Sequence, residues 1–239
     1  MNKTVRESVD FAVRLMRELA KAPEEKDIVL APPFTSLHPV AEALAPSAIS
    51  VAAQNLHDKP EGPYTGEVSA RMLVDAGCKY VIVGHSERRI LFREGDEFIS
   101  RKLRAALSGG LRPIFCVGET LEERETEKTL VILGRQIAEG LNKFTAHDME
   151  RVVIAYEPVW AIGTGKTATP GQAQDAHSFI RSVMAKEFAE TVATDVPIIY
   201  GGSVNPGNIA DLMVQPDIDG VLVGGASLDI ESFIRIIQF

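Results

Sequence analysis

Cysteine is scarce in this chain: Cys78 and Cys116 are the only two, each inside an apolar or strand-like stretch. Two thiols at that spacing build neither a disulfide framework nor a zinc site, so buried, reduced thiols are expected. Positive charge is also in deficit. The 33 acidic side chains outnumber the 25 basic ones, and a net charge of -8 repels nucleic-acid phosphates and anionic membrane surfaces. No apolar run has the length of a membrane span, and residues 1–11 carry Lys3, Arg6, Glu7 and Asp10 where a signal peptide would be apolar. These absences point to a soluble, cytoplasmic protein acting on a small diffusible molecule, with no nucleic-acid or membrane partner. Linkers and low-complexity tracts are missing as well, so residues 1–239 read as one domain.

What is present is alternation. Thr4 and Glu7 have the spacing of a capping box, and Val5, Val9, Ala12, Val13, Met16, Leu19 and Ala20 follow at helical intervals. Short, almost wholly apolar runs come next, at 28–31, 50–54, 80–84, 113–117, 152–156, 197–200 and 220–223. Continuous apolar strands are buried on both faces. Amphipathic helical stretches separate them, at 36–44, 69–76, 97–107, 125–141, 172–188 and 208–214, and a last one covers 228–237. Strand followed by helix, repeated, means a parallel sheet. Seven strands and eight helical segments at this period fit a (β/α)8 TIM barrel with the first β-strand apparently missing from the recorded chain. A doubly wound sheet would need a strand followed by G-x-G-x-x-G, and none is.

In such a barrel the strand ends and the loops after them carry the chemistry. The run at 80–84 leads into Gly84-His85-Ser86-Glu87-Arg88-Arg89. A histidine there can donate a proton or polarise a carbonyl, or can simply be satisfied by a neighbouring carbonyl. The run at 152–156 leads into Glu157-Pro158-Val159-Trp160. A carboxylate buried there would have a raised pKa, suited to taking a proton from carbon; the plainer reading is a helix cap. The following Ala161-Ile162-Gly163-Thr164-Gly165-Lys166-Thr167-Ala168 has the composition of a closing lid. Its Gly-Lys-Thr resembles the end of a nucleotide phosphate loop, but that motif needs glycine where Trp160 stands. Tyr200-Gly201-Gly202-Ser203 and Gly224-Gly225-Ala226-Ser227 close the last two strands. Either glycine pair alone could be an ordinary turn. Together they suit an anion held by backbone amides, and phosphate after strands seven and eight recurs in barrels.

These segments, with Ala155-Tyr156 before Glu157 and Cys116-Val117-Gly118-Glu119-Thr120, resemble the triosephosphate isomerase family over the whole chain. The resemblance implies interconversion of dihydroxyacetone phosphate and D-glyceraldehyde 3-phosphate through an enediolate, with no cofactor and no metal. It makes Glu157 the base and His85 the neutral donor to the substrate oxygens. Gly163, Ser203, Gly224 and Gly225 hold the phosphate in that picture, residues 158–168 form the lid, Ser86 and Glu87 support the site, and Cys116 packs behind the base. The loop around Thr65 and Gly66 would enter a partner subunit, which implies a homodimer.

Two departures stand out. The family opens with a strand ending in Asn-x-Lys, whose lysine offsets the substrate's developing charge; Met1-Asn2-Lys3-Thr4 aligns just after it, and Lys3 falls later in the loop. Arg93 occupies a position where the family usually has glycine or another small or polar residue. Besides an isomerase with a longer cellular form, two alternatives remain: a barrel that binds triose phosphates or a protein without catalysis, and another phosphate-binding barrel enzyme. An opened barrel with two free strand edges weighs against the first. The second leaves the pairing of His85 with Glu157 unexplained.

Overall fold

Thr4 caps the first helix, Val5–Leu19, as its spacing predicts: its hydroxyl accepts the Glu7 amide, and the Glu7 carboxylate accepts the Thr4 amide at 2.7 Å. The computed structural model describes residues 1–19, 26–161 and 167–239. They form two units, Met1–Val83 with Arg101–Pro113 and Gln238, and Gly84–Ser100 with Ile114–Ile237 and Phe239. Ala20 and residues 162–166 lie outside the described residues.

In the first unit the opening helix buries Ser8, Ala12, Leu15 and Leu19. That stripe is rotated slightly from the predicted one, and Val5 is left exposed. Strands β1 (Val29–Leu30), β2 (Ser50–Ala53) and β3 (Tyr80–Val83) run parallel, in registers that include Val29↔Ser50 and Ala52↔Tyr80. Parallel neighbours need a crossover, and the helices Leu37–Leu44 and Ala70–Asp75 supply it. β3 is buried throughout, as its unbroken apolar run predicts, whereas β1 is only half-buried. The Lys3 ammonium lies 4.8 Å from the centre of the Phe11 ring, in a local cation–π contact.

The second unit repeats the alternation. β4 (Arg112–Val117, of which Ile114 onward belongs here), β5 (Val153–Tyr156), β6 (Ile198–Tyr200) and β7 (Gly220–Val221) pair in chain order, all parallel. Val117 pairs with Tyr156 and Tyr156 with Tyr200, which aligns the ends of three strands. Between them run the helices Thr129–Gly140, Pro170–Glu187 and Ile209–Met213, and Ile230–Ile237 follows the last strand.

Two expectations change. The helix predicted over 125–141 is two helices, Leu121–Glu125 and Thr129–Gly140. Between them Glu127 adopts φ 57°, its amide donating to Arg124 and the Lys128 amide to Glu123. This is a Schellman stop built without the usual glycine, which is why the sequence hides it. The polar segment after β3 is a helix, Ser86–Leu91. Just beyond it Arg93 has φ 55°, a left-handed conformation costing a side-chain-bearing residue roughly 1–2 kcal/mol. Glycine would adopt the same conformation without that cost.

Candidate active site

His85 sits where β3 ends and the helix Ser86–Leu91 begins, and it caps that helix. Its Nδ1 accepts the Glu87 amide at 3.3 Å, satisfying one of the orphan donors of the first turn. A ring nitrogen that accepts carries no hydrogen, so in the neutral imidazole the proton is on Nε2, at the other end of the ring. That nitrogen lies 3.3 Å from Oε1 of Glu157. Glu87 contributes through its main chain, since its side chain is exposed.

Glu157 follows the last residue of β5 and is 2% exposed. Its Oε2 accepts the Ser86 amide at 3.0 Å, so the helix that His85 caps also faces the carboxylate. Burial raises its pKa above 4.5, and the nearby His85, Ser86 amide, Cys116 thiol and Arg89 only partly offset that rise. Cys116, fully buried in β4, lies against the same carboxylate, and burial lifts its thiol pKa far above the ordinary value. It is a packing thiol rather than a nucleophile. Arg89 ties the surroundings together: Nε donates to Gly84 O at 2.8 Å, one terminal nitrogen to Cys116 O at 3.1 Å and the other to Asp96. His85, Ser86, Cys116 and Glu157 are thus brought together within the second unit.

Glycines shape this cradle. The Glu157 amide donates to Val117 O at 2.7 Å, and a Cβ on Gly118 would stand 1.8 Å from Glu157 O. A Cβ on Gly201 would stand 2.8 Å from Glu157 Cγ, and one on Gly202 would stand 2.1 Å from the Tyr200 hydroxyl. The first glycine pair therefore answers to packing within the chain, a requirement that its sequence reading as an anion loop did not include.

Gly224 and Gly225 differ. Both are exposed, none of the described residues comes within 4 Å of either Cβ position, and Gly224 caps the short 3-10 helix Gly225–Leu228. Ser203 is half-buried, and its carbonyl accepts the Asn208 side chain at 3.0 Å. Gly163 lies outside the described residues, as do its neighbours in the predicted lid. Among the described residues no group of three or more His, Cys, Asp or Glu side chains is placed to hold a metal ion.

Sequence reasoning missed three contributors. Glu119, with no exposure, accepts the Tyr156 hydroxyl at 3.1 Å, the Trp160 indole at 2.9 Å and Arg124 at 3.0 Å, and Arg124 also covers the Trp160 ring at 4.7 Å. His177, fully buried, packs edge-on against Tyr156 with its Nδ1 3.1 Å from Asp217 O, and burial lowers its pKa to about 4. Gln136 bonds the Gly118 peptide. Each contact spans 18 to 41 residues, apart from the local Arg124 bond, and only a buried polar side chain on an apolar face could have signalled them.

The family model described as triosephosphate isomerase matches residues 1–239. The triosephosphate isomerase of Syntrophotalea carbinolica is 60% identical over 215 residues, 90% of this chain and 85% of that protein. Those of Carboxydothermus hydrogenoformans and Endomicrobium trichonymphae are 53% and 51% identical over essentially all of this chain and 94% and 95% of their own lengths.

Proposed function

The chain belongs to the triosephosphate isomerase family, and we propose that Glu157 and His85 carry out its reaction, the interconversion of dihydroxyacetone phosphate and D-glyceraldehyde 3-phosphate. The fold class is the family's (β/α)8 barrel, to which the parallel strands in chain order belong. We take residues 1–239 as a single domain of that class. One observation carries the assignment: a carboxylate only 2% exposed lies 3.3 Å from the proton-bearing nitrogen of a histidine.

The chemistry follows from the two environments. A carboxylate whose pKa burial has raised is a stronger base than a solvated one, and it can take the proton from the carbon beside the substrate carbonyl. The electron pair left on carbon moves onto the carbonyl oxygen, and His85 Nε2–H donates to that oxygen as its charge develops. The hydroxyl proton on the first carbon's oxygen then passes to the oxygen that took up the charge, so that the charge rests on the first oxygen. As the new carbonyl forms there, the same carboxyl returns its proton to the former carbonyl carbon, and nothing beyond the substrate is consumed. Backbone amides of Ser203, Gly224 and Gly225, with Gly163, hold the phosphate; the exposure and open Cβ positions of Gly224 and Gly225 support this reading.

The same reading includes a homodimer and a place in cytoplasmic sugar breakdown. Ile90, Leu91 and Phe92 in the second unit are 56%, 71% and 62% exposed, a consecutive apolar surface of the kind subunit contacts cover. In the first unit Tyr64, beside Thr65, is 40% exposed. No helix among the described residues is long and apolar enough to cross a membrane.

The test is Glu157→Asp, which keeps the charge and draws it back by one methylene. A displacement near 1 Å costs about 100-fold, so turnover of glyceraldehyde 3-phosphate should fall that far with an unchanged melting curve. A loss below about tenfold would remove Glu157 from the role of base.

A further inference from the structure

β4 ends at Val117, whose carbonyl accepts the Glu157 amide. The next peptide is completed by a side chain. The Gly118 amide donates to Gln136 Oε1 at 2.8 Å, and the Gly118 carbonyl accepts from Gln136 Nε2 at 3.1 Å. Gln136 stands on the helix Thr129–Gly140 and is 4% exposed. Its carboxamide pairs with Gly118 as one residue of a neighbouring strand would.

The same Gly118 is pressed against the main chain of Glu157: a Cβ there would lie 1.8 Å from the Glu157 carbonyl oxygen and 2.6 Å from its carbonyl carbon. Any shift of the Gly118 peptide therefore displaces the backbone from which the carboxylate extends. We propose that Gln136 is a positioning residue for the proton transfer, fixing the Gly118 peptide and, through it, the main chain of Glu157. This rests on Glu157 being the base.

The residue type is constrained. The peptide needs an acceptor and a donor side by side, so the carboxamide has a single workable orientation. Asparagine has the right groups but is one methylene short. An ionised glutamate offers two acceptors and leaves the buried Gly118 carbonyl facing a negative charge, whereas a neutral glutamic acid supplies one donor and one acceptor in nearly the same arrangement.

The experiment compares wild type, Gln136→Met, Gln136→Glu and Glu157→Gln in glyceraldehyde 3-phosphate isomerisation, with inorganic phosphate as competitive inhibitor. For Gln136→Met, kcat should fall about ten- to hundredfold, as expected for a sub-ångström to 1 Å displacement. KM and phosphate inhibition should stay within about threefold, since the phosphate loops are untouched. For Gln136→Glu, the ratio of kcat to wild type should be low at neutral pH and rise as pH falls; taking the ratio at each pH removes the titration of Glu157 itself. A Gln136→Met enzyme within about twofold of wild type, or a flat ratio for Gln136→Glu, overturns the proposal. If circular dichroism finds both variants unfolded, Gln136 holds the fold rather than the base and the proposal also falls. Activity surviving in Glu157→Gln would overturn the reading beneath it, whatever the Gln136 variants do.

Discussion

Gly201-Gly202 and Gly224-Gly225 look alike in sequence and answer to different forces. At the first pair, missing side chains make room for Glu157 and Tyr200. At the second, none of the described residues occupies the space. A glycine kept open by the protein's own packing is a condition for folding the site; Gly224 and Gly225, exposed and uncrowded by any described residue, leave their backbone accessible to the anion proposed there. The cradle of the carboxylate is densely packed, and the proposed phosphate loop is exposed backbone.

Substitutions separate the two kinds. The largest effect is expected at Gly118→Ala, where the added methyl meets a backbone oxygen that no rotamer change can move. A loss of about 3 kcal/mol or more in urea unfolding is expected, and a stability within about 1 kcal/mol of wild type would show the cradle to be softer than described.

A second effect concerns acid, behind the cradle. His177 has a folded-state pKa of about 4 against an ordinary 6.5, so the folded protein binds fewer protons than the unfolded chain in that window. Its contribution is complete above pH 6.5 and is lost as pH falls toward 4, amounting to about 3 kcal/mol at 1.36 kcal/mol per unit. Glu157, with its pKa raised, acts with the opposite sign, so wild type must be compared with His177→Gln. The stability difference between them should narrow from pH 7 to pH 4.5. A constant difference would mean that His177 is not held neutral.

The smallest effect on folding is expected at Gly225→Ala, within about 0.5 kcal/mol. Phosphate affinity there should nonetheless drop about tenfold, because the added methyl projects into the space the anion would fill and holds it off one backbone amide, a contact to a charged group worth roughly 1.5 kcal/mol. Unchanged affinity by calorimetry would remove the ligand from this loop.

Much of this was legible in advance. Seven apolar runs matched the seven strands among the described residues to within about two residues at each end, because a strand buried on both faces announces itself in composition, as β3 and β5 do, and even the half-buried β1 and β7 lie in apolar runs. His85 and Glu157 were legible as polar residues directly after such runs. The helix Ser86–Leu91 was not, because its Ile90 and Leu91 face outward and leave no buried stripe to read. The stop at Glu127 was hidden because a glutamate fills a glycine's role. Glu119 stood in a quoted segment without a role, and Gln136 and His177 were not singled out, for a third reason: each acts on a partner far along the chain, and spacing carries no trace of that.

The chain's single tryptophan, Trp160, donates its indole N–H to the buried carboxylate of Glu119 while the Arg124 guanidinium lies over its ring. The protein therefore contains one indole chromophore, set between a negative and a positive charge at the last described turn before residue 162. Indole emission shifts with the local electric field, so the intrinsic fluorescence of the unlabelled enzyme reports on this one spot.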